Sequence, residues 1–178
     1  MSVHHIAFAA KDIDATHAFY TGAMGFELVK VEVAQTEHGW AKHLFYDTGG
    51  GSLLAFWDIH DDSIPEGWSP AISTGLGLPQ FMNHLAFGAG DLDDIGRRTT
   101  RLNDHGHDVI EIDHGWCTSI YATDPNGILV EFCTTTRAFT EQDKEDAGRL
   151  LADQSPPVLP APDFKVHKAA RDAAAAPA

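Results

Sequence analysis

Polar and apolar residues alternate over residues 3–9, which predicts a strand with Ile6 and Phe8 on one face and His5, Ala7 and Ala9 on the other. The period then changes. Ala15, Ala18, Phe19 and Ala23 recur at helical spacing, with Asp12 or Asp14 as N-cap and Gly25 as the stop. Three further strands are predicted over 26–33, 41–46 and 52–58, with Gly49-Gly50-Gly51 turning between the last two. The same course then runs again: a strand over 82–88, a helix over 92–105, and strands over 107–113, 118–123 and 128–134. Asp124-Pro125-Asn126-Gly127 is the turn before the last strand.

This recurrence is visible in the residues themselves. His4-His5-Ile6-Ala7-Phe8 is echoed by Asn83-His84-Leu85-Ala86-Phe87, and Gly51-Ser52-Leu53-Leu54-Ala55-Phe56 by Gly127-Ile128-Leu129-Val130-Glu131-Phe132. From His5 to His84 the offset is 79, and from Ala55 to Glu131 it is 76, so the halves keep register with small indels. The predicted fold class is α+β, as two tandem βαβββ modules at 1–60 and 81–135. A loop linker at 61–80, carrying three prolines and three glycines, is placed to cover a site. Over 136–178 the pattern shifts to a surface helix near 141–152 and then an aperiodic Pro/Ala-rich tail, read as an arm or as disordered.

Composition narrows the partners. The 178 residues are 43% hydrophobic and 21% charged, an ordinary globular balance, and the formal net charge is −14. No basic run exceeds Arg97-Arg98, which argues against nucleic acid. Neither a secretory leader nor a membrane-length apolar run is expected, and Cys117 and Cys133 follow no disulfide or zinc spacing. The chain therefore reads as soluble and cytoplasmic, with no membrane partner.

Three residues carry the candidate chemistry. His5 and His84 occupy equivalent places, each on a face with small neighbours that leave room in front of the imidazole. Glu131 stands in an apolar strand, where a carboxylate is costly unless paired or metal-bound. Taken singly, each histidine reads more readily as an ordinary strand residue. Equivalence under the repeat, joined to Glu131, favours a divalent metal centre.

With these motifs the chain resembles the vicinal oxygen chelate superfamily: the glyoxalase, bleomycin-resistance and extradiol-dioxygenase proteins. The resemblance covers residues 1 to about 135. It rests on His5-Ile6-Ala7-Phe8 with Asp12-Ile13-Asp14, Phe19-Tyr20 and Gly25-Phe26, then on His84-Leu85-Ala86-Phe87 with Asp91-Leu92-Asp93, and finally on the run from Asp124 to Phe132. It implies a half-open barrel around one metal, with His5, His84 and Glu131 on the ligand positions. It also makes a homodimer the family-like expectation, whether the barrel closes within one chain or by exchange between two.

Ala55 stands where glyoxalase-I-like relatives take a fourth ligand, leaving two His and one carboxylate. That set suits a non-haem iron(II) (Fe2+) oxygenase, with Mn2+, Ni2+ and Zn2+ as alternatives. The chain is thus most similar to small one-domain extradiol dioxygenases, whose substrate is a catechol-like aromatic ring. Resemblance suggests Tyr121, ten positions before Glu131, as a contact to a substrate oxygen, and His114 as a further polar contact. His43, equivalent to Ser119 under the repeat, reads either as a proton carrier or as an exposed strand histidine. The acid/base histidine that many extradiol enzymes carry before the second ligand has no counterpart, since residues 69–83 hold none; His60 is a distant substitute. Trp40, Phe45, Trp57, Phe81, Trp116 and Tyr121 are candidates for pocket lining. Two other readings remain: a metal-dependent lyase, isomerase or thiol transferase, and a metal-free drug-binding protein.

Overall fold

A computed structural model describes residues 3–158 and 160–169. The first module comprises β1 (His5–Ala10), α1 (Ile13–Ala18), β2 (Glu27–Gln35), β3 (Gly39–Asp47) and β4 (Leu53–Asp61). Asp12 caps α1 by accepting from the Ala15 amide at 2.9 Å. The helix then widens into a π-helical turn, Phe19–Ala23, closed by the Met24 amide on the Phe19 carbonyl at 3.0 Å. The second module repeats this with β5 (His84–Gly88), α2 (Leu92–Asp104), β6 (Val109–Asp113), β7 (Cys117–Thr123) and β8 (Leu129–Thr135). Asp91 caps α2 as Asp12 caps α1.

Each module forms its own sheet, ordered β1-β4-β3-β2 and β5-β8-β7-β6, the second extended beyond β6 by a strand from the tail, and the two sheets are not closed on each other. The opening strand pairs in parallel with the closing one in both: Ala7 lies opposite Ala55, and Ala86 opposite Glu131. Phe45 faces Ala55 where Tyr121 faces Glu131, so the repeat holds at the level of register.

Helices cover one face of each sheet. Tyr20 packs on Phe56 at 4.8 Å between ring centroids, and Ile95, Thr99 and Leu102 of α2 are buried at the i, i+4, i+7 spacing of one helix face. Phe26 reaches from the first module to Phe87 and Phe132 of the second. The turn after β7 locks this junction. Asp124 accepts from Tyr20 Oη at 3.0 Å and from the Ile128 amide at 2.8 Å, while Asn126 donates to Thr16 and accepts from the Lys11 amide. Burial pushes the Asp124 carboxyl up despite these donors, and drives the Tyr20 phenol well above its ordinary range.

Among the described residues, two elements follow the second module. Helix α3 (Glu141–Ala152) forms as the pattern predicts, started by a capping box of Thr140 and Asp143, and buries no residue. The tail departs from its aperiodic reading: β9 (Phe164–His167) adds a fifth strand beside β6. Four residues are too few for periodicity to announce a strand; side-chain ties fix this one. Glu111 holds Lys165 and His167 at 2.8 Å each, and Lys168 meets Asp108 at 2.7 Å. The rest of the Pro/Ala-rich tail, 170–178, lies outside the described residues. Among the described residues no helix is long and apolar enough to cross a membrane.

Candidate metal and substrate site

The helix-covered face of the second sheet takes Ile120, Ala122, Val130 and Phe132 into the core. Alternation sends Ser119, Tyr121 and Glu131 to the other face, where all three are buried, beside the partly exposed His84. His84 Nε2 lies 3.1 Å from Glu131 Oε2, and Ser119 Oγ donates to Glu131 Oε1 at 2.5 Å. Tyr121 Oη meets His114 Nε2 at 3.1 Å. Burial is the main cause pushing the Tyr121 phenol up to about 12, so it stays a neutral O–H at physiological pH.

The hydrogen bonds of His84 test whether this pair fits a cation. Its Nδ1 lies 3.0 Å from the Phe81 carbonyl, which can accept and never donate, so in the neutral ring Nδ1 carries the proton. Nε2 then turns its lone pair towards Glu131 Oε2. Two lone pairs at this separation repel unless a proton or a metal ion lies with them, and an imidazole anchored through its far N–H to a backbone carbonyl is the usual habit of a metal-bound histidine. The donor set fits a divalent ion.

His5 does not join the pair within one chain. The cleft that His84 shares with the first module is lined there by Val3, Ile6, Leu53 and Leu54 and not by His5. Among the described residues no three His, Cys, Asp or Glu side chains are grouped to hold a metal ion.

Instead His5 lies with His43 and Phe45, at ring-centroid separations of 6.3 and 5.8 Å. His43 is 8% exposed, against its reading as an exposed strand histidine, and is stacked on Trp57 at 3.8 Å. Its Nε2 is buried with no hydrogen-bond partner among the described residues. Burial, with His5 nearby, lowers its pKa and favours the neutral ring. His43 is therefore on the first sheet's face and not beside Tyr121.

Of the aromatic candidates, Phe81 packs against Tyr121 at 5.3 Å. Trp40 stacks on His60, which also pairs with Asp58, and Trp116 packs on Phe139. Sequence reasoning passed over two supporting groups. Ser119 was legible as a same-face neighbour of Tyr121, whereas the Phe81 carbonyl carries no sequence signal.

Two duplicated modules, with a histidine on an opening strand and a carboxylate on the matching closing strand, define a protein of the two-module glyoxalase type. A family model for the Glyoxalase/Bleomycin resistance protein/Dioxygenase superfamily matches residues 2–132, and the chain belongs to that superfamily. No curated protein matches it. Solved structures of similar fold include a lactoylglutathione lyase from Agrobacterium tumefaciens, at 24% identity and TM-score 0.51, covering 75% of this chain and 92% of the other. The fosfomycin resistance protein FosX from Listeria monocytogenes is 20% identical with TM-score 0.53, covering 80% and 98%. The antibiotic-binding protein TnmS3 from Streptomyces sp. CB03234 is 18% identical with TM-score 0.51, covering 76% and 97%. At these identities the likeness concerns the fold.

Proposed function

We propose that the protein is a metal-dependent dioxygenase of the extradiol type, acting on a catechol-like ring at a centre shared between two copies of the chain. His84 and Glu131 of one copy and His5 of a second would hold the ion, taken to be iron(II). The observation that carries this reading is the His84–Glu131 pair, its Nε2 and Oε2 3.1 Å apart, with the Tyr121 hydroxyl on the same sheet face. Ala55, fully buried at the position equivalent to Glu131, offers no fourth ligand. When bound, a ferrous ion supplies open positions where two substrate oxygens and dioxygen meet.

The chain's own groups have separate tasks. Ser119 holds Glu131 Oε1 and leaves Oε2 free to bind, while the Phe81 carbonyl fixes the His84 ring. Tyr121 hydrogen-bonds a substrate oxygen, and His114 Nε2 takes up or returns a proton through the phenol. Among the described residues the strands place no lysine or arginine on this face: beyond His84, Ser119, Tyr121 and Glu131 it includes Cys117, Cys133, Ile110, Ile112, Phe164 and Val166. A neutral hydroxylated ring suits it better than the anionic substrate of a thiol transferase.

Anaerobic loading with iron(II), followed by oxygen uptake against a panel of catechols and hydroquinones, tests the reaction. Uptake is expected with at least one ring, and none across the panel, with turnover of a glutathione hemithioacetal instead, overturns it. Mixing His5→Ala with Glu131→Ala protein tests the sharing. Each variant alone is inactive, while a mixed dimer regains one intact centre; no recovery after subunit exchange rejects a shared centre.

A further inference from the structure

Beyond the metal ligands, the functional face runs without a break onto strands β6 and β9. Glu131 pairs with Tyr121, Tyr121 with Ile110, and Ile110 with Val166, all directly opposite and so on one face. The adjacent row continues Ser119, Ile112 and Phe164. Chemistry changes along these rows, from carboxylate and hydroxyls to aliphatic and aromatic side chains.

The apolar end is a pocket of about 280 Å³ lined by Phe81, Ile110, Ile112, Ala161, Pro162 and Phe164, with no polar side chain among them. Phe81 is the common wall, since its ring packs on Tyr121 and its carbonyl holds His84. Three of the six residues come from the tail, beyond the 2–132 region that defines the superfamily. The tail strand is tied down by Glu111 and by the Asn103 amide donating to the His167 carbonyl at 3.1 Å. This chain therefore adds a surface of its own to the shared site.

We propose that this pocket is a substrate subsite that receives a ring-sized apolar substituent, carried on the same molecule whose oxygens meet His84 and Glu131. It rests on the proposed reaction for the head group of that molecule. Size and position both favour a substituent over a protein segment. An apolar cavity of about 150 Å³ suffices for benzene, and Ile110 lies two strand spacings, roughly 10 Å, from Glu131. A ring attached directly to the chelated ring spans that gap.

Two measurements on the full chain test the subsite. Benzene titration is followed by the methyl resonances of Ile110 and Ile112, which are expected to shift and saturate in the wild type and to respond weakly in Phe164→Ala. Binding of 4-phenylcatechol to iron(II)-loaded protein under anaerobic conditions is expected to be about tenfold tighter than that of catechol, from burial of the added ring. Phe164→Ala and Ile112→Thr bring that ratio towards one. Saturable benzene shifts without diol binding uphold the subsite and reject the catechol head group. Methyl resonances that ignore benzene, or a phenyl preference that both variants retain, overturn the subsite.

Discussion

The two sheets share a register and differ in what they hold. At matching places the first presents His5, Phe45, Ala55 and His43, and the second His84, Tyr121, Glu131 and Ser119. In the second sheet each polar group has a partner: Glu131 has Ser119 and His84, and Tyr121 has His114. In the first, the His43 nitrogen at the place of the Ser119 hydroxyl is buried without one among the described residues. Duplication thus preserves a scaffold that fixes where a side chain points, while the residue at that point decides whether a module binds charge or stacks rings.

The closing hairpins diverge in the same way. Asp124–Gly127 is clamped onto α1 and its π-helical turn through Thr16 and Tyr20, whereas Gly49, Gly50 and Gly51, all at positive φ, meet nothing within 4 Å of an added Cβ. One turn joins the modules; the other only reverses the chain.

Breaking the comparison at Glu131 has the largest expected effect. Glu131→Ala makes the second face resemble the first, and metal-dependent turnover is expected to fall to background, with metal content measured alongside. Next comes Tyr121→Phe, which copies the residue at position 45. Losing the hydroxyl should lower kcat by about a hundredfold at unchanged metal content; an unchanged kcat would remove Tyr121 from the chemistry.

The hairpins provide the stability test. Asp124→Ala leaves Tyr20 and two backbone amides without their acceptor, and should cost about 3 kcal/mol in urea unfolding. Gly50→Ala in the opposite turn should cost about 1 kcal/mol, from left-handed strain alone. Equal losses would show that the second turn is no more a clamp than the first.

A smaller effect concerns the edge strands. Hydrogen bonds from Lys165 and His167 hold the Glu111 carboxyl below its ordinary 4.5. Because the folded value is the lower one, this stabilisation is complete above the unfolded value and is lost as pH falls through the folded one. The β9 amides should lose hydrogen-exchange protection in that acidic window before those of β2, the matching edge of the first sheet.

Much of this was legible in the sequence, for identifiable reasons. Strict alternation assigned faces within each strand, the repeat singled out His84 with Glu131, and the family resemblance added Tyr121. The Asp124-to-Gly127 turn then fixes the register, making a ten-residue spacing a cross-strand pair, Tyr121 opposite Glu131. Alternation also put His5 on the right face of β1, but says nothing of how one sheet is oriented to the other. Strand β9 escaped because its four residues depend on partners more than fifty positions away.

By itself, the sequence determined the two modules, their strand faces and the chemistry available on each, because periodicity and turn residues act locally. Tertiary structure alone decided that His5 is not grouped with His84 and Glu131 within one chain and that the tail returns to widen one sheet. Those outcomes depend on packing between elements distant in the chain, and no local pattern encodes the angle at which two sheets meet.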